Sequence, residues 1–376
     1  MQKEKKRRWL RYVIVLAVLV VLTLIVAFII RGVSSGTFAI FPRRSPVFTV
    51  DELSFDIGRN RVFAKSGGAV AAAGTFGIQV LNADGEETLR DTFRMFNPAI
   101  TEQSGTFLAF DIGGTEVRVF TSNQLIHEIE TTGQIVSATI NQNGWFTVVT
   151  QEPGAFRGTI QVYNNQGSIV YRVDLGSGFP VTAIISENNN NLAILNLADA
   201  GSRITFYRGI DEDNGEPYYQ FQLREVVIFD IRFTRAGEIV AISTDSVLHI
   251  DDTGEGTEIF NFRGRRLGSF AHGEGFIALN LYDYGVGYTG QIVTVNIDDG
   301  TIMGEHRVHR EIVSMSFGYG QLAVLQSSGI TFFNKNMEEY LFSEESPFAV
   351  ALNRILMLGE NLALATNDSS ALLVRR

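Results

Sequence analysis

The sequence contains no cysteine. That excludes disulfides, thiolate metal sites, iron–sulfur clusters and thiol nucleophiles. It does not exclude an extracellular setting, because a chain of 376 residues can bury a core large enough to need no covalent staple. Proline is scarce, 7 residues against 37 glycines, a balance that fits many tight turns better than extended linkers. Tryptophan occurs only as Trp9 and Trp145. From residue 47 onward helical periodicity is missing as well.

Charge is absent from residues 12–30, YVIVLAVLVVLTLIVAFII. At about 1.5 Å per residue this stretch reaches roughly 28 Å, close to the roughly 30 Å hydrocarbon core of a bilayer. Six cations precede it (Lys3, Lys5, Lys6, Arg7, Arg8 and Arg11), whereas only Arg31, Arg43 and Arg44 follow closely. The positive-inside bias predicts a single-pass helix with a cytoplasmic basic tail at 1–11 and residues 31–376 outside, anchored in the lipid bilayer of the cell membrane. A cleaved signal peptide is the rival reading. Its apolar region is ordinarily shorter and ends near small residues, whereas this one stops at Arg31. Residues 31–46, RGVSSGTFAIFPRRSP, read as a stalk. Their Gly32-Val33-Ser34-Ser35-Gly36 matches the nucleophile-elbow spacing but lacks the strand before and the helix after that such an elbow needs.

The net charge of −10 is asymmetric: the first eleven residues hold +5 and leave −15 for the rest. An acidic body of that kind argues against nucleic acid as a partner.

What is present is a returning hairpin. Residues 159–175, TIQVYNNQGSIVYRVDL, are two β-favouring runs around a polar turn with glycine. Similar third-strand runs begin near Ile78, Val117, Ile160, Ile204, Val247, Ile292, Ile330 and Ala371, at spacings of 39, 43, 44, 43, 45, 38 and 41. A period of this length with four short strands per unit is that of a β-propeller blade. One unit reads as strands at 135–141, 145–151, 159–163 and 169–173, with the inner strands expected to be near-continuously apolar. The prediction is an all-β, eight-bladed propeller over 47–376, seven blades being the alternative because the unit at 57–93 opens weakly. The last unit lacks a fourth strand, and the β-like run 47–54 is predicted to supply it and close the ring.

This pattern resembles WD-repeat and quinoprotein-like propellers, without the Trp-Asp strand endings of true WD repeats. A short basic tail, one apolar span and a cysteine-free propeller together resemble an uncharacterised family of membrane-anchored propellers of Gram-positive bacteria, the domain of unknown function 5711 family. The resemblance implies topology and no activity.

Motifs for chemistry are thin. NIDDGTIMGEHRV (296–308) carries Asp299, Gly300 and Thr301 of a quinoprotein docking repeat but no following tryptophan, so no cofactor is expected. His306 and His309 do not share a strand face, and no metal site is expected. The acidic loops GIDEDNGEP (209–217) and DDTGEGTE (251–258) have a calcium-loop composition without its spacing. A carboxylate-dependent hydrolase with its site at the central channel is the alternative to a non-catalytic module that binds or assembles with an envelope protein or wall polymer.

Two connections between second and third strands are expanded and aromatic: QEPGAFRGT (151–159) and YDYGVGYTG (282–290). A third, ADAGSR (198–203), is modestly longer. All three belong to one face of a propeller, the face opposite the stalk. Phe156, Arg157, Tyr282, Tyr284 and Tyr288 are therefore the candidate binding residues.

Overall fold

The computed structural model describes residues 49–152, 157–212, 215–285, 287–342 and 351–375. The apolar stretch 12–30, the stalk 31–46 and Phe156 lie outside them. Among the described residues no helix is long and apolar enough to cross a membrane. The body, Val47–Arg376, is a unit in its own right.

Eight antiparallel four-stranded sheets build that body as a β-propeller. In chain order the blades are 62–91, 98–130, 134–175, 179–224, 228–261, 266–308 and 312–342, blades 1 to 7. Blade 8 is composite: Arg354–Gly359, Leu362–Thr366 and Ala371–Arg375 are joined by Thr49–Leu53 as the outer strand. Thr49 lies opposite Arg375 and Leu53 opposite Ala371, so the predicted closure is observed. Val62–Ser66 provides the weak first strand of blade 1, which makes the count eight and not seven. Each predicted third-strand start falls inside an observed third strand, from Gly77–Leu81 to Ala371–Arg375.

The core is a ring of wedges between neighbouring blades. Phe107 and Phe120 of blade 2 pack on Ile78 and Val80 of blade 1. Phe63 and Val70 pack on Leu358 and Leu364, closing blade 1 against blade 8. Second strands lie in the middle of each wedge and are buried on both faces, as in Phe276–Tyr282, which is buried at every position. Each such Phe, Leu or Ile contributes roughly 1.5–3 kcal/mol by leaving water. The innermost strands differ from the expectation. Gln134–Ile140 alternates between buried and partly exposed positions, because these strands border the central channel and carry polar residues such as Ser137 and Thr139. In blades 3 to 7 each also bulges, skipping Val136, Val181, Phe229, Gly268 and Val313 in turn.

The asparagine-rich turn of blade 3 is structural. Asn164 Oδ1 accepts from the N–H groups of Gln166 and Ser168, each at 3.0 Å, and Gly167 takes φ 75°. Asn82, Asp251 and Asn334 do the same in blades 1, 5 and 7. A short polar side chain that hydrogen-bonds the backbone two residues on is what such a turn requires, so the repeat conserves the device within the chain.

Candidate binding face

Strand direction sorts every connection onto one of two faces. First-to-second and third-to-fourth connections lie on one, here the turn face. Second-to-third and blade-to-blade connections lie on the other, the loop face. Thr49 starts an outer strand, so the chain enters the propeller at the turn face.

The two faces differ in charge. Among the described residues, turn-face connections hold Asp84, Glu86, Glu187, Asp211, Glu238, Asp251, Asp252, Glu255, Glu274, Asp298, Asp299, Glu338 and Glu360 against Arg235 and Lys335. Loop-face connections are close to balance, with Arg59, Arg61, Arg94, Arg157, Arg263, Arg265 and Arg310 set against Asp56, Glu152, Asp199, Glu225, Asp245, Asp283, Glu311 and Asp368.

They differ again in exposed apolar surface. Phe76, Phe96, Ile112, Phe179, Val227, Phe229, Tyr284 and Tyr288 are exposed and lie on or next to loop-face connections. Tyr319 lies in a turn-face connection, and Ile126, Ile169 and Ile302 on outer strands.

The predicted binding residues separate into groups. Tyr284 is 92% exposed at the tip of the 283–289 connection, and Tyr288 is 42% exposed. Asp283 N–H donates to Thr289 O at 2.8 Å, which closes the base of that loop. The Glu311 carboxylate beside the Tyr288 hydroxyl pushes that phenol up from its usual range. Tyr282 is not a surface residue. It ends a second strand, is 2% exposed, and accepts from the Ile312 N–H at 2.7 Å through its hydroxyl. Its ring carries the Arg266 guanidinium at 5.0 Å and meets Tyr288 edge-on at 5.6 Å. It is a pillar under the loop. Arg157 is exposed in blade 3, three blades from Tyr284, with its N–H fixed to Leu175 O at 2.8 Å. The same face therefore holds both, but not one site. The 198–203 segment is not an expanded loop: strands Asn191–Ala198 and Gly201–Arg208 pair to their ends and leave a two-residue turn.

The loops rich in aspartate use their carboxylates on themselves. Asp251 Oδ1 accepts from Thr253 N–H, Thr253 Oγ1 and Glu255 N–H, and the Thr253 hydroxyl leads these in holding its carboxyl below the usual range. Asp213 and Asn214 lie outside the described residues. Among those described, no three His, Asp or Glu side chains converge as a metal site. His306 packs on Phe333 with ring centres 4.8 Å apart.

The central channel holds a cavity of about 420 Å³ bordered by Thr101, Glu102, Thr139, Glu187, Asp230 and Arg232, among others. Its carboxylates are each engaged by a neighbour. Glu102 accepts from Gly105 N–H at 3.0 Å, Glu187 from Gln142 Nε2 at 2.7 Å, and Asp230 lies 2.7 Å from His272 Nε2. Burial, then the nearby Arg232, lowers the His272 pKa, while Asp230 opposes both. Arg232 touches channel solvent yet is ringed by protein, and that burial lowers its pKa.

The model of a family of unknown function, DUF5711, matches residues 50–346. The chain belongs to this family. Among solved structures it is similar to Saccharomyces cerevisiae Sqt1, at 11% identity and a TM-score of 0.60 over 88% of this chain and 98% of that one. It is similar to BamB from Moraxella catarrhalis, at 14% and 0.54 over 88% and 100%, and to the C-terminal WD40 domain of Sif2, at 11% and 0.62 over 87% and 98%. At these identities the likeness shows the fold alone. No curated protein matches.

Proposed function

We propose that this DUF5711 chain is a single-pass membrane protein whose extracytoplasmic propeller is a non-catalytic module for binding or assembly with another protein of the envelope, through its loop face. The observation that carries this reading is the gathering of exposed aromatic and aliphatic side chains on that face, interspersed with arginines. Protein interfaces favour aromatic residues and arginine over other charged types. The described chain starts at Thr49 on the turn face, opposite the loop face.

Cysteine placed at Tyr284 in the full chain, in a background that has no other thiol, reports the topology. Labelling of intact cells by a membrane-impermeant maleimide is expected. Labelling that requires lysis would overturn the extracytoplasmic assignment.

A further inference from the structure

The loop face holds one apolar row that owes nothing to loop expansion. Phe76 sits in the two-residue turn of blade 1, Phe96 in the connection from blade 1 to blade 2, and Ile112 in the turn of blade 2. They are 62%, 78% and 46% exposed. Backbone hydrogen bonds stitch their connections side by side. Phe76 N–H donates to Ile57 O at 2.9 Å, Met95 N–H to Thr75 O at 3.2 Å, and Ile112 N–H to Asn97 O at 3.0 Å.

The row is held rigidly from beneath. Asp111 is 6% exposed, and its Oδ1 accepts from both Phe96 N–H at 3.0 Å and Asn97 N–H at 2.7 Å. Along 93–96 the chain alternates: Phe93 and Met95 are buried, Arg94 and Phe96 exposed. A phenylalanine cannot reach water this fully by loop mobility when a buried carboxylate pins its own amide. Pre-organised aromatic anchors lose little freedom on binding, which is the usual character of an interface hot spot.

Charge selects the occupant. Arg59 and Arg94 are exposed and flank the row. Among the described residues neither forms an ion pair. Two acids lie near the strip: Asp111 is buried beneath it and holds the Phe96 and Asn97 amides, and Asp56 faces Arg90 at 3.9 Å. The strip is basic and apolar on a chain whose net charge is −10. We infer that the Phe76–Phe96–Ile112 row is the docking strip for an acidic segment of a partner protein, with large apolar side chains seated against the row and carboxylates against Arg59 and Arg94. The inference rests on the loop-face reading and names its occupant.

The test uses the full chain and two labelled peptides. Both carry three phenylalanines at the same spacing, separated by glutamates in one and by lysines in the other. Fluorescence anisotropy should show the glutamate peptide bound roughly tenfold or more tightly than the lysine peptide, with the difference shrinking as salt is raised. Phe96→Ala should weaken the glutamate peptide by roughly tenfold, Arg94→Glu should reverse the preference between peptides, and Asp298→Asn on the turn face should leave both unchanged. All three sites are exposed, so the variants fold. Equal binding of the two peptides, or full affinity in Phe96→Ala, overturns the proposal. So does a self-association of the chain, or an adhesion to lipid vesicles, that Phe96→Ala abolishes while glutamate-peptide binding is absent. If neither peptide binds, but a partner protein is still crosslinked from Tyr284 in cells, the strip fails and the loop-face reading stands.

Discussion

The two faces of the propeller are made by the same repeat and differ in nearly everything else. Several turn-face connections share one way of closing. Asn82, Asn164, Asp251 and Asn334 each close a tight turn with their own side chain, and acids outnumber bases across the turn-face connections. Among the described residues, loop-face connections range from the two residues between Ala198 and Gly201 to the eight of 54–61, and they hold most of the exposed aromatics. The difference shows where the fold constrains sequence. A hairpin turn demands a particular backbone, so its residues answer to geometry. Connections that only have to reach the next strand or blade are free to answer to a partner.

The sharpest way to break this contrast is through two glycines. A Cβ at Gly290, which starts the third strand of blade 6, would stand 2.1 Å from Leu281 O and 2.7 Å from Tyr282 Cα. Gly290→Val should cost about 3 kcal/mol or more and show as a lowered denaturation midpoint. Turn-face Gly320 has φ +73° and open space around it, so Gly320→Ala should cost only about 1 kcal/mol, from backbone strain alone. Equal losses would mean that loop-face packing is looser than described.

Next in size is the pair Asp111→Ala and Asn164→Ala. The first leaves two amides without their acceptor beside a buried site and should cost about 2–3 kcal/mol. The second removes an exposed turn bond and should cost about 1 kcal/mol. Thermal unfolding of the two variants side by side checks the order.

The channel between the faces supplies a pH effect. The pKa of His272 is lowered from 6.5 on folding, so the unfolded chain binds its proton first as pH falls. Stability contributed by keeping this ring neutral is full above about pH 6.5, is lost as pH falls toward the lowered value, and changes no further below it. The groups that set this are Asp230, Arg232 and the enclosing blades. Melting temperature should fall as pH drops below about 6.5, and fall less in His272→Gln.

The smallest effect belongs to turn-face charge. Asp252→Asn with Asp298→Asn should alter stability by no more than about 0.5 kcal/mol, measured by the same melts. A larger loss would show that the acids hold the turns, which are instead closed by Asp251 and Asn296.

Much of the fold was legible because the repeat is periodic in the outer hairpin, where half-exposed strands alternate cleanly. The closing strand was legible because an edge must be covered. The candidate site was less so, for reasons that can be named. Tyr282 looks like a loop residue by its position, but it continues the side of the strand that Ala278 and Asn280 turn toward blade 7, and so it is buried. Residues 198–203 look like a longer connection, yet both strands pair through Ala198 and Gly201. Phe76 sits in a two-residue turn and Phe96 in a blade-to-blade connection, so loop expansion gives no sign of either. The alternation Phe93-Arg94-Met95-Phe96 was the available signal, visible as two apolar residues facing in and a phenylalanine left facing out.

If the loop face binds the partner, position matters more than chemistry. A photo-crosslinking residue placed at Tyr284 on the loop face or at Asp298 on the turn face of the full chain, activated in intact cells and followed by mass spectrometry, measures this directly. A discrete protein adduct is expected from position 284 and none from 298. The same adduct from 298 alone, or equally from both, would contradict it.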